Sequence, residues 1–136
     1  MKLTHLDAEG NARMVDVSGK PRSLRTARAR GWLRVAPDTA SLIREQALPK
    51  GSPFEVARLA GIQAAKETSR LIPLCHSLHL DFVDVTIRLE GERFKIDSEV
   101  RCRRATGVEM EALTAVSVTA LTLYDMCKAV DNSMEI

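Results

Sequence analysis

An α+β fold, with helices packed on one face of an antiparallel sheet, is predicted by three features of this 136-residue sequence. Residues 83–100 alternate apolar and polar side chains about a central turn, the pattern of a hairpin. Two long helical stretches flank that hairpin, each opened by a capping signature. A third alternating run, Arg28 to Val35, precedes them and supplies another strand.

The elements follow in order. From Arg28 to Val35, Ala29, Gly31, Leu33 and Val35 point one way, while Arg28, Arg30, Trp32 and Arg34 point the other, giving a strand with a basic face. Pro37-Asp38 opens a short helix carrying Leu42 and Ile43, which ends before Pro49. Ser52-Pro53-Phe54-Glu55 then starts a long helix. Ser52 is placed to cap, Pro53 suits the first helical position, and Glu55 completes a capping box. That helix is expected to reach about Arg70, with Pro73 limiting it. Its small residues (Ala57, Ala60, Gly61, Ala64, Ala65) permit close packing on a neighbour. Val83, Val85, Ile87 and Leu89 form one strand, Glu90-Gly91-Glu92 the turn, and Phe94, Ile96, Ser98 and Val100 the return. Thr106-Gly107-Val108-Glu109 reads as a second capping box, opening a helix to Lys128 or Ala129.

This order is the split β-α-β pattern of a ferredoxin-like fold. The full pattern closes with a strand after the last helix. The sequence stops at Ser133-Met134-Glu135-Ile136, where that strand would begin, so the last strand is expected to be missing or truncated. Residues 1–136 form one domain, with residues 1–20 a polar segment expected to be mobile.

Composition narrows the class. Apolar residues make up 45% and charged residues 28%, near globular averages, which excludes a disordered or fibrous chain. No apolar run reaches the length of a signal peptide or membrane span, and Cys75, Cys102 and Cys127 show no CxxC spacing. The chain reads as cytoplasmic and reduced. Net charge is +2, but residues 1–50 carry 10 Lys+Arg against 5 Asp+Glu, a net of +5, leaving −3 for the rest. Arg22, Arg25, Arg28, Arg30 and Arg34 cluster there, either as a phosphate-binding group or as a solvated strand face. Charge alone favours the solvated face. A nucleic-acid binder is the weakest reading, because interleaved aromatics and an overall basic balance are lacking.

Three places can carry chemistry. Lys50-Gly51 precedes a helix N-terminus, where a lysine, free N–H groups and the helix dipole suit an anion. Leu74-Cys75-His76-Ser77-Leu78-His79 lies in a loop between helix and strand. A metal site on Cys75, His76 and His79, or a Cys–His nucleophile, fits its spacing less well than a histidine that binds a polar substrate or carries a proton. The last helix holds Glu109, Glu111, Asp125 and Lys128. Asp125 and Lys128 are i,i+3 neighbours in apolar sequence, so a partly desolvated lysine tuned by a carboxylate is expected there. Glu111 and Asp125 share a face with Thr114, Val118 and Thr122. They are nevertheless about 21 Å apart along the axis, too far for one small pocket within a chain.

The strings MVDVSGKP, KGSPFEVARLAGIQAAKETSRLIPLCHSLHL and TGVEMEALTAVSVTALTLYDMCKAV together closely resemble the cyclic pyranopterin monophosphate synthase family, the molybdenum-cofactor biosynthesis protein C family, from about Leu3 onward. The resemblance implies a ferredoxin-like subunit in a hexamer, a trimer of dimers, with sites between subunits. It also implies a lyase converting a cyclised dihydro-GTP to cyclic pyranopterin monophosphate with loss of pyrophosphate. Residue by residue, it makes Asp125, Lys128 and Lys50 catalytic. It makes Leu74, Cys75, His76, Met110 and Glu111 substrate-binding, with Glu109 and Arg25 at polar site positions. No metal or cofactor is required, Mg2+ being admitted only on the substrate triphosphate. Two departures stand out: Ser77 replaces the family's usual Pro, and the family normally continues with a strand and a Lys/Gly/Ser-rich tail. The alternative expectation is a short, non-catalytic copy that binds a nucleotide or a partner.

Overall fold

The strict apolar alternation of residues 83–100 buries one side of each strand, and this fixes both pairing and register. In the computed structural model, which describes residues 1–136, β2 (Phe82–Glu90) pairs antiparallel with β3 (Arg93–Arg104), setting Val83 opposite Val100 and Ile87 opposite Ile96. Gly91 and Glu92 make the two-residue loop. Gly91 adopts φ 62° at its first position, where a II′ hairpin takes glycine. β1 (Ser23–Arg34) pairs antiparallel with the other side of β3, so the order is β1-β3-β2. β1 starts five residues earlier than its alternation suggested, because Arg25 takes an inward position that sequence polarity assigns outward.

Three helices precede the hairpin: α1 (Pro37–Arg44), α2 (Phe54–Lys66) and the single turn α3 (Thr68–Leu71). The last, α4 (Glu109–Cys127), follows it. The long helix expected up to Arg70 is thus interrupted at Glu67. There the buried Thr68 hydroxyl donates to the carbonyls of Ala64 and Ala65, both at 3.0 Å, capturing acceptors at the helix end. Neither capping box forms. α2 starts one residue later than expected, with Pro53 in the N-cap slot, and α4 starts from Val108; no side chain caps either. Glu55 and Glu109 still lie in first turns, where carboxylates suit the dipole.

α2 and α4 cover one sheet face, and Leu33, Val85, Phe94, Ile96, Ala57, Ala115 and Leu123 fill the space between. Gly61 sets the closeness of the two helices. A Cβ there would sit 2.0 Å from Thr119 Oγ1 and 3.0 Å from the Ala115 carbonyl oxygen. No helix is long and apolar enough to cross a membrane. The stretch expected to begin a fourth strand bridges the free edge of β1: Glu135 and Arg34 exchange backbone hydrogen bonds of 2.8 and 3.2 Å. That is where a ferredoxin-like closing strand pairs.

α1 is capped from far along the chain. Asp131, 6% exposed, accepts from the Ala36 N–H at 2.8 Å and the Thr39 hydroxyl at 2.9 Å, and from the Ser133 N–H and hydroxyl. Burial alone would raise its pKa, but the bonds from Ala36, Ser133 and Thr39 outweigh it and hold the carboxyl at about 2. A lowered folded-state pKa stabilises the fold above the ordinary value of 3.8, and the contribution fades as pH falls toward 2. Asp131→Asn should therefore cost about 2 kcal/mol at pH 7. The difference should shrink steadily between pH 4 and pH 2, as read by urea unfolding. A gap that stays constant with pH would show that the carboxylate charge is not what ties the chain end to α1.

Candidate active site

α4 carries a chemical cluster at each end. At its N-terminal end, Glu111 sits 3% exposed, with the Cys75 thiol donating to its carboxylate at 3.5 Å. Burial pushes the Glu111 carboxyl above its usual range. Burial, then the Glu111 charge, push the Cys75 thiol up to about 11. The thiol is therefore mainly protonated at neutral pH, a slow thiol rather than an activated thiolate, and its partner is Glu111 rather than His76. His76 Nε2–H donates to the Val15 carbonyl at 2.5 Å, which places a proton on Nε2 because a carbonyl only accepts.

These side chains line one cavity of about 320 Å³ with Leu74, Leu78, Glu109 and Met110. Six of the seven residues expected at the substrate site (Leu74, Cys75, His76, Glu109, Met110, Glu111) thus line one cavity. Arg25 does not line it. Arg25 faces the helices from β1 opposite Cys102, and its Nε is buried without a hydrogen-bond partner. Three other arginines of the cluster are engaged elsewhere: on the outer sheet face Arg28 pairs with Glu99 at 2.5 Å and Arg30 with Asp97 at 2.7 Å, while Arg34 meets Glu135 at 2.7 Å. The strand-face reading holds for Arg28, Arg30 and Arg34, whereas Arg25 turns inward and Arg22 precedes β1.

At the other end of α4, Asp125 is held between two lysines. Lys128 Nζ donates to Oδ1 at 2.9 Å, and Lys50 Nζ reaches Oδ2 at 3.4 Å and the Asp125 carbonyl at 3.0 Å. Lys128, then Lys50, hold the Asp125 carboxyl below its ordinary value, and the hydrogen bond that Lys128 donates to Asp125 raises the lysine above its own. The partial desolvation expected for this pair does not occur within one chain. The Asp125 and Lys128 side chains are each 55% exposed, because they flank the apolar face instead of sitting in it. Lys128 is therefore a protonated, accessible donor at neutral pH. No group of three or more His, Cys, Asp or Glu side chains is arranged to hold a metal ion.

Residue-level reasoning missed one wall of the cavity. Thr4, His5, Val15, Val17 and Lys20 form it, from the segment expected to be mobile. The only signal was the string MVDVSGKP, whose residues carry no motif-level chemistry of their own.

Known proteins place the chain. A family model described as the MoaC family matches residues 14–136. Among curated proteins, a cyclic pyranopterin monophosphate synthase of Chloroflexus aurantiacus is 55% identical over 99% of this chain and 84% of its own length. Cyclic pyranopterin monophosphate synthase 1 of Mycobacterium tuberculosis is 57% identical over the whole chain and 81% of its length. The chain also matches 44% of a molybdenum cofactor biosynthesis bifunctional protein of Chlorobaculum tepidum at 54% identity, the span of one part of that longer protein. A family match over nearly the whole length, with relatives above half identity, is decisive: the chain belongs to the MoaC family.

Proposed function

We infer that this chain is a cyclic pyranopterin monophosphate synthase acting in molybdenum cofactor biosynthesis. The observation that carries this reading is the near-full-length likeness to proteins of that name. We further propose that it is a cytoplasmic lyase taking cyclised dihydro-GTP to cyclic pyranopterin monophosphate and pyrophosphate. Lys128, protonated and oriented by Asp125, supplies the proton donor that ring opening and rebuilding require. Lys50 places a second cation beside it, suited to the charge that develops on departing pyrophosphate. His76, Met110 and Glu111 line the cavity that would orient the base-derived ring, and the hydrogen-bonded Glu111–Cys75 pair lies on the same wall.

The two clusters lie about 21 Å apart along α4, so one substrate does not bridge them within a chain. We propose that a second copy supplies the missing half. Val56 and Leu59 on α2, with Leu113 and Leu121 on α4, are each at least 50% exposed, an apolar face lying between the two ends. Two copies packed antiparallel on that face set the Glu111 end of one against the Asp125 end of the other. A hexamer, as a trimer of such dimers, contains this contact.

The direct test is incubation with cyclised dihydro-GTP, assayed for pyranopterin product and pyrophosphate. Both are expected in equal amounts. Tight binding without either product would overturn the enzyme reading in favour of a binding module.

A further inference from the structure

Residues 1–22 contain no buried residue, yet they wall the Glu111 cavity. Their hydrogen bonds are almost all internal. The Arg13 N–H donates to the His5 carbonyl at 2.8 Å, and the Asp7 N–H to the Asn11 carbonyl at 2.9 Å. The Asp7 carboxylate accepts from the Glu9 and Asn11 N–H groups at 3.0 and 2.8 Å, closing the turn. Leu6 and Ala12 bridge across it. The piece is therefore a self-held hairpin. One hydrogen bond joins the segment to the body of the domain, from His76 to the Val15 carbonyl.

We propose that residues 3–15 are a flap over the Cys75–Glu111 cavity, latched by His76, which opens as a unit to admit ligand. A segment with so little burial and one cross-link sits at the low end of local stability. Its own turn bonds survive opening, so it swings instead of unravelling. When the latch parts, Thr4, His5 and Val15 leave and the cavity loses a wall. The same event frees His76 Nε2–H for a substrate acceptor, coupling entry to the site histidine. This deepens the substrate-pocket reading and rests on it, but the flap itself is testable without turnover.

Cys75 reports the motion. It lines the cavity beneath the flap, while Cys102 and Cys127 are fully buried in the core and serve as internal controls. Thiol labelling of the native protein is followed by mass spectrometry with iodoacetamide and with a polyethylene glycol maleimide too large for the closed cavity. His76→Phe removes the latch, and Asp7→Ala loosens the hairpin from a position away from the thiol. Each should raise bulky labelling of Cys75 about fivefold, the equivalent of one net hydrogen bond. Labelling of Cys102 and Cys127 should not change. A Cys75 rate unchanged in either variant, or an equal rise at all three cysteines, would overturn the flap. Parental catalysis in His76→Phe, with the labelling pattern as expected, would instead count against the pocket's assignment.

Discussion

Lys128→Ala should lower turnover by about 10²- to 10⁴-fold while the fold and most of the substrate affinity remain, since proton transfer is needed in the transition state far more than in the bound ground state. Two further variants separate proton donation from charge. Lys128→Arg keeps the cation but does not release a proton near neutrality, so it should be nearly as impaired as the alanine variant. Asp125→Asn removes the carboxylate that raises the Lys128 pKa, so the alkaline limb of the pH–rate profile should move to lower pH. The sign is fixed: with an acid role, activity falls as pH rises through the lysine's pKa, and a lower pKa brings that fall earlier. Near-parental turnover in Lys128→Arg would reassign the residue as a phosphate-neutralising cation beside Lys50.

Where burial on one side imposes a period, the sequence states the structure. The β2–β3 hairpin is legible because slipping its register by one residue would expose Val85, Phe94, Ile96 and Val100 together. Local signals fail where a distant partner decides. Ser52 and Thr106 look like caps, but α2 and α4 begin where packing sets them, and the real cap, on α1, comes from Asp131, 95 residues away from Ala36. The break after Lys66 depends on a threonine hydroxyl finding two carbonyls, which no helical period encodes. The site divides the same way. Asp125–Lys128 is readable as an i,i+3 pair, and Lys50 as a lysine before a helix. That Lys50 meets Asp125 across 75 residues is a product of the fold. Arg25 was placed by resemblance alone, for its inward turn runs against its charge.

The same separation of ends along α4 makes a prediction about assembly. Glu111→Ala and Asp125→Ala chains should each be inactive alone, the first losing the buried partner of Cys75 and the second the bridge between Lys50 and Lys128. If one site draws Glu111 from one protomer and Asp125 from its neighbour, a mixed dimer holds one site with both residues intact and one with neither. Co-expressed chains with different tags, purified through both, should therefore regain up to about half of parental pyrophosphate release per dimer, since one of two sites is rebuilt. A site within a single chain gives every protomer one lesion, and mixing restores nothing. Leu121→Asp provides the structural counterpart. It places a charge in the middle of the exposed apolar face, where a buried unpaired carboxylate is costly. It should shift the assembly toward single chains and abolish activity. Activity that persists in Leu121→Asp monomers, or doubly tagged mixed oligomers that stay inactive, would require a substrate path along one chain between clusters about 21 Å apart.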